Sequence, residues 1–169
     1  MTLSEEGLES MGVAVGSGSA GSMLCLLSLD GQPFALRAAA VREVIGNAMV
    51  VRIPLAPDFM EGIVNYRGVM LTTVSLRRVL GLQPSPGKSC VVVLRGGADG
   101  SESFGLLVDR LAGVVSLDSA VLEPIPPTVA DKAQDVFRGM YVRDQGPLVE
   151  LDADHLRPEW LMLHRSSGC

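Results

Sequence analysis

Short apolar runs divided by turn residues are the feature that most constrains the fold of this chain. Met23–Leu29 is a largely apolar run that ends at Asp30-Gly31, and Asn65-Tyr66-Arg67-Gly68 divides another apolar stretch in the same way. Asp-Gly and related sequences between short apolar runs are typical of β-hairpins, and many such runs in succession indicate a sandwich or barrel. We therefore predict a mainly β fold in which the helices are few and short.

Two short helices are predicted from their end signals. Ser75 is a good N-cap and Gly81 a good C-terminal stop, which gives a helix of about two turns. A C-terminal helix is predicted over 158–165, because it would begin with proline, which suits the first helical position. The apolar side chains expected to dock this helix are Trp160, Leu161 and Leu163.

The body of the chain reads as two related halves, joined by a turn-rich connector at 83–88. We predict two β units, the first over about 23–82 and the second over about 89–157, with strands that may cross between them. Chance similarity among apolar strands is the alternative explanation. The matched segments are 25–27 with 90–92, 34–36 with 104–106, and Gly62-Ile63 with Gly139-Met140.

Residues 1–22 are rich in Gly, Ser and Glu and show neither strand nor helix period, so they are predicted to form a flexible N-terminal tail. The run from Gly16 to Gly21 fits G-x-G-x-x-G, but a dinucleotide site needs a preceding strand and a following helix. The segment that follows is strand-like, so we interpret this run as linker.

Composition excludes several classes of protein. Apolar residues make up 47% of the chain and charged residues 20%, which indicates an extensive core. The net charge of −5 and the 4% of aromatic residues argue against a nucleic-acid partner. The acidic N-terminus is unlike a signal peptide, and no apolar run approaches the ~20 residues that cross a bilayer. We expect a cytosolic protein without direct membrane insertion.

The cysteines and histidines do not suggest a disulfide framework or a metal site. Cys25 and Cys90 lie in apolar runs and are expected in the core, whereas Cys169 is the thiol expected to react quickly. His155 and His164 are not at ligand spacing, so no metal or other cofactor is expected.

Catalytic motifs do not emerge, so the chain is expected not to be an enzyme. Asp109 follows an apolar run and is expected to satisfy local backbone groups or to form an ion pair. The alternative is a β-barrel that binds or turns over a small molecule, with Asp109 or Cys90 in a pocket.

The hairpin sequence Asn65-Tyr66-Arg67-Gly68 is the strongest candidate for a binding function. Asn65 can bond its own backbone and Gly68 can take a positive φ, which would leave the Arg67 guanidinium facing outward on a rigid turn. Such an arginine is a good anchor for protein recognition. The simpler interpretation is a well-formed hairpin without a binding role.

Four motifs in this order resemble the CheW-like domain family. The resemblance covers about 24–163 and places a domain over 23–165. It implies two small five-stranded β-barrels that share a hydrophobic interface. It also implies a non-enzymatic adaptor that links chemoreceptor tips to a CheA-type histidine kinase, in the cytoplasm beside receptor arrays. The motifs are Val41-Arg42-Glu43-Val44, Asn65-Tyr66-Arg67-Gly68, Ser75-Leu76-Arg77-Arg78 and the run from Phe104 to Arg110.

The resemblance also implies partner-binding residues. It assigns the receptor-binding turn to Asn65, Arg67 and Gly68, and it matches Gly62 to the glycine that opens the hairpin strand. The contact surface for receptor and kinase would include Val41, Glu43 and Val44, and an apolar groove for a receptor helix would lie near Val41, Val44 and Val91.

The chain departs from the family pattern at four positions. Tyr66 stands where the family has an aliphatic residue, Ser75 where it usually has Asp, and Thr72 and Thr73 where a proline is common. An adaptor of the same family in pilus motility or development, or a degenerate copy that titrates partners, is the alternative to a chemotaxis role.

Overall fold

Two β-sheets form the framework of the fold in the computed structural model, which describes residues 2–3, 23–117, 120–126 and 133–165. One sheet has seven strands in the order β1-β4-β8-β9-β7-β6-β5 and the other has five in the order β10-β2-β3-β12-β11. The strands are β1 (Thr2–Leu3), β2 (Met23–Leu29), β3 (Gln32–Arg37), β4 (Val41–Gly46), β5 (Val50–Val51), β6 (Met60–Tyr66), β7 (Val69–Ser75), β8 (Cys90–Leu94), β9 (Phe104–Val108), β10 (Arg110–Ser116), β11 (Phe137–Arg143) and β12 (Gly146–Leu151).

The predicted mainly β fold is confirmed and has two sheets, but one of them has seven strands where five were predicted. The additional strands, β1 and β5, contain two residues each, which is too short to leave an alternating pattern in the sequence. Each strand order also runs between two edge strands. The tail predicted over 1–22 falls outside the described residues except for β1, which pairs with β4.

The two sheets repeat one arrangement, which supports the internal duplication. In the seven-stranded sheet the β8–β9 hairpin lies between β4 and β7, and in the five-stranded sheet the β2–β3 hairpin lies between β10 and β12. The first hairpin of each half of the chain is therefore part of the sheet formed by the other half. The strands β4 and β10 are both bulged, and so are β6 and β11.

A central core fills the space between the sheets, as the predicted shared hydrophobic interface requires. Leu27 and Leu36 of one sheet join Val92 and Leu106 of the other in this core. A smaller core lies on the remaining face of each sheet, so both faces are covered. Strand β8 illustrates this arrangement, because all of its residues are buried. Full burial of an aliphatic side chain contributes roughly 1.5–3 kcal/mol.

The small core of the five-stranded sheet contains a buried carboxylate. Glu150 is fully buried, accepts a hydrogen bond from the Tyr141 hydroxyl (3.2 Å), and pairs with Arg138 (3.1 Å) and Arg37 (3.4 Å). In the other sheet, Thr73 takes the corresponding position opposite the bulge glycine. The two halves therefore share a backbone plan and differ in the chemistry of their interiors.

Both predicted helices are present. The first, α1 (Leu76–Val79), is one turn long rather than two, because Gly81 turns the chain at a φ of +75°. The second, α2 (Pro158–Arg165), begins at the expected proline and buries Leu161. The expectation that Leu163 docks this helix is wrong, since its side chain is exposed. No helix among the described residues is long and apolar enough to cross a membrane.

The cysteines in the described part of the chain lie where the sequence predicted. Cys25 and Cys90 are both buried in the central core, and burial raises the pKa of each thiol to about 11. Cys169 lies outside the described residues.

Candidate protein-interaction site

The β6–β7 hairpin has a two-residue turn in which both residues are left-handed. Arg67 has a φ of +53° and Gly68 a φ of +83°, which is the type I′ geometry of tight hairpins. Asn65 Oδ1 accepts a hydrogen bond from the Gly68 backbone N–H (2.9 Å), as the sequence predicted. The left-handed Arg67 was not predicted, because a single sequence gives no signal that a residue other than Gly or Asn adopts this conformation.

Curvature of the seven-stranded sheet brings Glu43 of β4 against Arg67. Strand β4 and the β6–β7 hairpin that carries Arg67 lie near opposite ends of the sheet. Arg67 Nη2 nevertheless donates a hydrogen bond to Glu43 Oε1 at 3.1 Å. The Glu43 side chain is only 9% exposed, whereas that of Arg67 is 73% exposed. The buried Glu43 carboxylate therefore holds the Arg67 guanidinium in place from below, while most of the Arg67 side chain stays exposed.

Tyr66 joins these residues to a second arginine. The Cζ atom of Arg67 lies 5.4 Å from the Tyr66 ring centroid, and that of Arg42 lies 5.9 Å from it. The Tyr66 hydroxyl lies against the Glu43 carboxylate, and hydrogen bonding to this carboxylate raises the pKa of Tyr66. We call Arg42, Glu43, Asn65, Tyr66, Arg67 and Gly68 the hairpin site.

Exposed apolar side chains border the hairpin site. Val69 and Met70 begin β7 directly after the turn, and Val51 pairs with Ile63 on the neighbouring strand β6. Met49, just before β5, is 84% exposed. The sequence did not reveal this border, because its apolar residues have the same pattern as those of the core. Apolar surface of this kind beside charged groups is typical of protein interfaces.

Two of the residues predicted to line a receptor groove are instead core residues. Val44 lies in the central core and Val91 in the small core of the seven-stranded sheet, and both are buried. Only Val41 of the predicted trio is partly exposed. The prediction of a groove formed by all three is therefore wrong. Both faces of β8 are covered, and Val44 is the buried residue of β4. Alternation in the sequence shows neither fact.

Gly62 has a structural explanation. It is buried, and a Cβ at this position would lie 2.1 Å from the Val51 carbonyl oxygen, so glycine lets β5 approach β6. Gly139 takes the same place in the other half, where a Cβ would lie 2.6 Å from the Glu123 carbonyl oxygen. Both glycines therefore serve close backbone approach rather than contact with a partner.

Asp109 belongs to a structural ion-pair cluster. Its carboxylate accepts from Arg77 Nε (2.7 Å) and from the Asp30 backbone N–H (2.9 Å), and Arg77 also pairs with the Asp30 carboxylate. The Arg77 guanidinium lowers the pKa of Asp109. This arrangement confirms the expected ion-pair role, although the sequence did not identify Arg77 as the partner.

A surface cavity of about 580 Å³ lies between the β8–β9 loop and α2. Neither Asp109 nor Cys90 lines it, so the cavity does not fit the alternative of a small-molecule site built on those residues. Within the described part of the chain, no three His, Cys, Asp or Glu side chains are gathered as metal ligands would be. The hairpin site is thus the strongest functional candidate.

The fold and this site define a class of two-sheet β domains that carry an exposed hairpin. The family model of the CheW-like domain matches residues 24–159, and the chain belongs to this family. The family predicted from the sequence is therefore confirmed.

Known proteins resemble the chain over most of its length. A probable chemotaxis protein CheW of Rhizobium etli is 27% identical over 132 residues, which is 77% of this chain and 84% of the relative. The chemotaxis protein CheW of Klebsiella aerogenes is 26% identical over 137 residues, 80% of this chain and 81% of the relative. The crystal structure of the scaffolding protein TtCheW from Thermoanaerobacter tengcongensis matches with a TM-score of 0.70 at 24% identity. This match covers 80% of the chain and 92% of that protein, and it shows a shared fold.

Proposed function

We propose that this chain couples the cytoplasmic tip of a chemoreceptor to a CheA-type histidine kinase, without catalytic activity of its own. Family membership and the relatives named for chemotaxis support this proposal. In this role the chain works beside receptor arrays, on the cytoplasmic side of the membrane.

The conformation of Arg67 is the observation that carries the proposal. Type I′ turns favour Asn or Gly at this position, and a left-handed arginine costs of order 1 kcal/mol. The Arg67 side chain is 73% exposed, so solvent screens its pair with the largely buried Glu43 carboxylate. The pair therefore contributes about 1 kcal/mol, which does not clearly exceed that cost. Folding alone therefore gives little reason for arginine at this turn. An exposed guanidinium on a rigid turn, bordered by apolar side chains, is well suited to bind a partner.

A coupling protein needs a second surface, and the duplicated fold offers one. The β11–β12 hairpin of the five-stranded sheet corresponds to the β6–β7 hairpin, and it exposes Val142 and Pro147. Its turn carries Asp144 where the first hairpin carries Arg67. The opposite charges would favour different partners, so we assign the receptor to the first hairpin and the kinase to the second.

Formation of a ternary complex tests this proposal. The chain would be mixed with a receptor cytoplasmic hairpin and a CheA-type kinase from the same genome, separately and together, and analysed by size-exclusion chromatography with light scattering. We expect each partner to bind alone and both to bind at once. Competition between them would contradict the assignment of separate surfaces. Failure of both to bind would contradict the proposed function.

A further inference from the structure

We infer that Tyr66 is a positioning residue that sets the partner specificity of the hairpin site, by holding Arg42 and Arg67 together for a partner with neighbouring carboxylates. This inference rests on the proposed function and deepens it. The partner surface it implies is acidic, with apolar side chains that meet the exposed border of the hairpin site.

Both guanidiniums lie over the ring of Tyr66. Arg42 lies on β4 and Arg67 on the β6–β7 turn, and the curvature that brings Glu43 against Arg67 also brings these two arginines to one side of the Tyr66 ring. Both Cζ atoms lie within 6 Å of the Tyr66 centroid, which is the range in which a ring attracts a cation. Since the ring restrains both side chains before binding, less rotamer entropy is lost when a partner engages them.

The charges exposed at the hairpin site are those of the two arginines. Glu43 is the carboxylate paired there, and its side chain is almost fully buried beneath Arg67. The chain as a whole carries a net charge of −5, so the positive charge of this site is opposite in sign to that of the whole chain. A site of this sign attracts carboxylates, and a planar guanidinium can bind one in bidentate geometry.

An aliphatic residue would pack here but would not hold the arginines. Tyr66 is half-buried and packs against the small core of the seven-stranded sheet, a role that leucine can also fill. Leucine has no aromatic face to attract a guanidinium and no hydroxyl for Glu43. Tyr66 therefore distinguishes this hairpin from the aliphatic turn of the family pattern.

Two substitutions separate positioning from packing. Tyr66→Leu keeps apolar bulk and removes the ring, whereas Tyr66→Phe keeps the ring and removes the hydroxyl. Binding would be measured by calorimetry at several salt concentrations, with a chemoreceptor cytoplasmic hairpin from the same genome as the probe. We expect Tyr66→Phe to bind within about twofold of the parent. We expect Tyr66→Leu to lose about fivefold to tenfold, with a weaker salt dependence.

The structural explanation of Tyr66 makes a different prediction. If the ring only packs, Tyr66→Leu shifts the melting temperature and leaves the salt dependence of binding unchanged. Arg42→Gln provides a second variant that does not disturb the core, and it should also weaken the salt dependence. If Tyr66→Leu and Arg42→Gln both bind the receptor hairpin as the parent does, the inference about Tyr66 is overturned and the proposed function is not. A parent chain that does not bind the receptor hairpin would overturn the proposed function and this inference with it.

Discussion

At the hairpin site, the left-handed backbone of Arg67 lowers the stability of the fold but leaves its side chain exposed to a partner. Arg67 is left-handed, exposed and supported from below by Glu43, so its side chain is available to a partner without rearrangement. The sequence could identify Asn65, Arg67 and Gly68 as a turn with an outward arginine. It could not identify Glu43 as the residue beneath Arg67, because that contact depends on curvature between strands that are not neighbours.

Replacement of Arg67 by asparagine should separate stability from binding. Asparagine tolerates the left-handed conformation, so Arg67→Asn should leave the free energy of unfolding within about 0.5 kcal/mol of the parent or raise it. Affinity for the receptor hairpin should fall at least tenfold, because an interface anchor is lost. Thermal unfolding and calorimetry measure the two effects. Arg110→Asn, an exposed arginine on β10, is the matched control and should bind as the parent does. A clear loss of stability in Arg67→Asn would mean that the arginine serves the fold.

Asp109 should contribute to stability in a pH-dependent way. Arg77 lowers its pKa in the folded chain, so the carboxylate stabilises the fold above the ordinary Asp pKa of about 4. This stabilisation is lost as the pH falls from about 4 through the lowered folded-state pKa. Asp109→Asn should lose about 1–3 kcal/mol at pH 7, because Arg77 loses a charged hydrogen-bond partner. It should also lose less stability than the parent on acidification. Urea unfolding at pH 7 and pH 3 compares the two, and parallel losses in both chains would contradict this account.

At the level of elements, the sequence predicts the positions of hairpin turns better than the presence of short edge strands. The turns at Asp30-Gly31 and Arg67-Gly68 and the start of α2 follow from local residue chemistry, and each is found where it was predicted. The strands β1 and β5 could not be predicted, because two residues carry no period. The burial of Val44 and Val91 was missed for a related reason: an apolar residue in a strand does not reveal whether its own face is covered.

Three glycines should respond differently to alanine. In Gly62→Ala the new Cβ would clash with the Val51 carbonyl of β5, so a loss of about 2 kcal/mol or more is expected. In Gly68→Ala the space is open but φ is positive, so about 1 kcal/mol is expected. Gly87→Ala meets only the Ser85 hydroxyl at 3.5 Å and should change little. Urea unfolding gives the order, and a Gly62 variant as stable as the Gly87 variant would refute the close-approach explanation.

The whole molecule is a duplicated fold in which each half completes the other. The repeated apolar patterns of the sequence predicted the two halves, and the family resemblance implied their shared interface. The exchange of hairpins between sheets could not be derived, since pairing between distant strands leaves no local signal. This exchange ties the sheets together through β2 and β8, and it places Cys25 and Cys90 in one central core.

The central core should protect two thiols until the chain unfolds. Cys25 and Cys90 are buried, and their raised pKa values of about 11 leave little thiolate at pH 8. A thiol reagent at pH 8 should therefore modify at most one of the three cysteines quickly in the native chain, and all three in denaturant. Two or more fast thiols in the native chain would contradict this description of the core.

The central claim is coupling, and kinase activity in reconstituted membranes tests it most directly. Receptor-bearing membranes would be mixed with a CheA-type kinase from the same genome, and autophosphorylation would be measured with and without this chain. We expect the chain to make kinase activity depend on the receptor ligand, and Arg67→Asn to abolish that dependence while Arg110→Asn preserves it. Kinase activity that responds equally to the receptor ligand whether or not the chain is present would contradict the account.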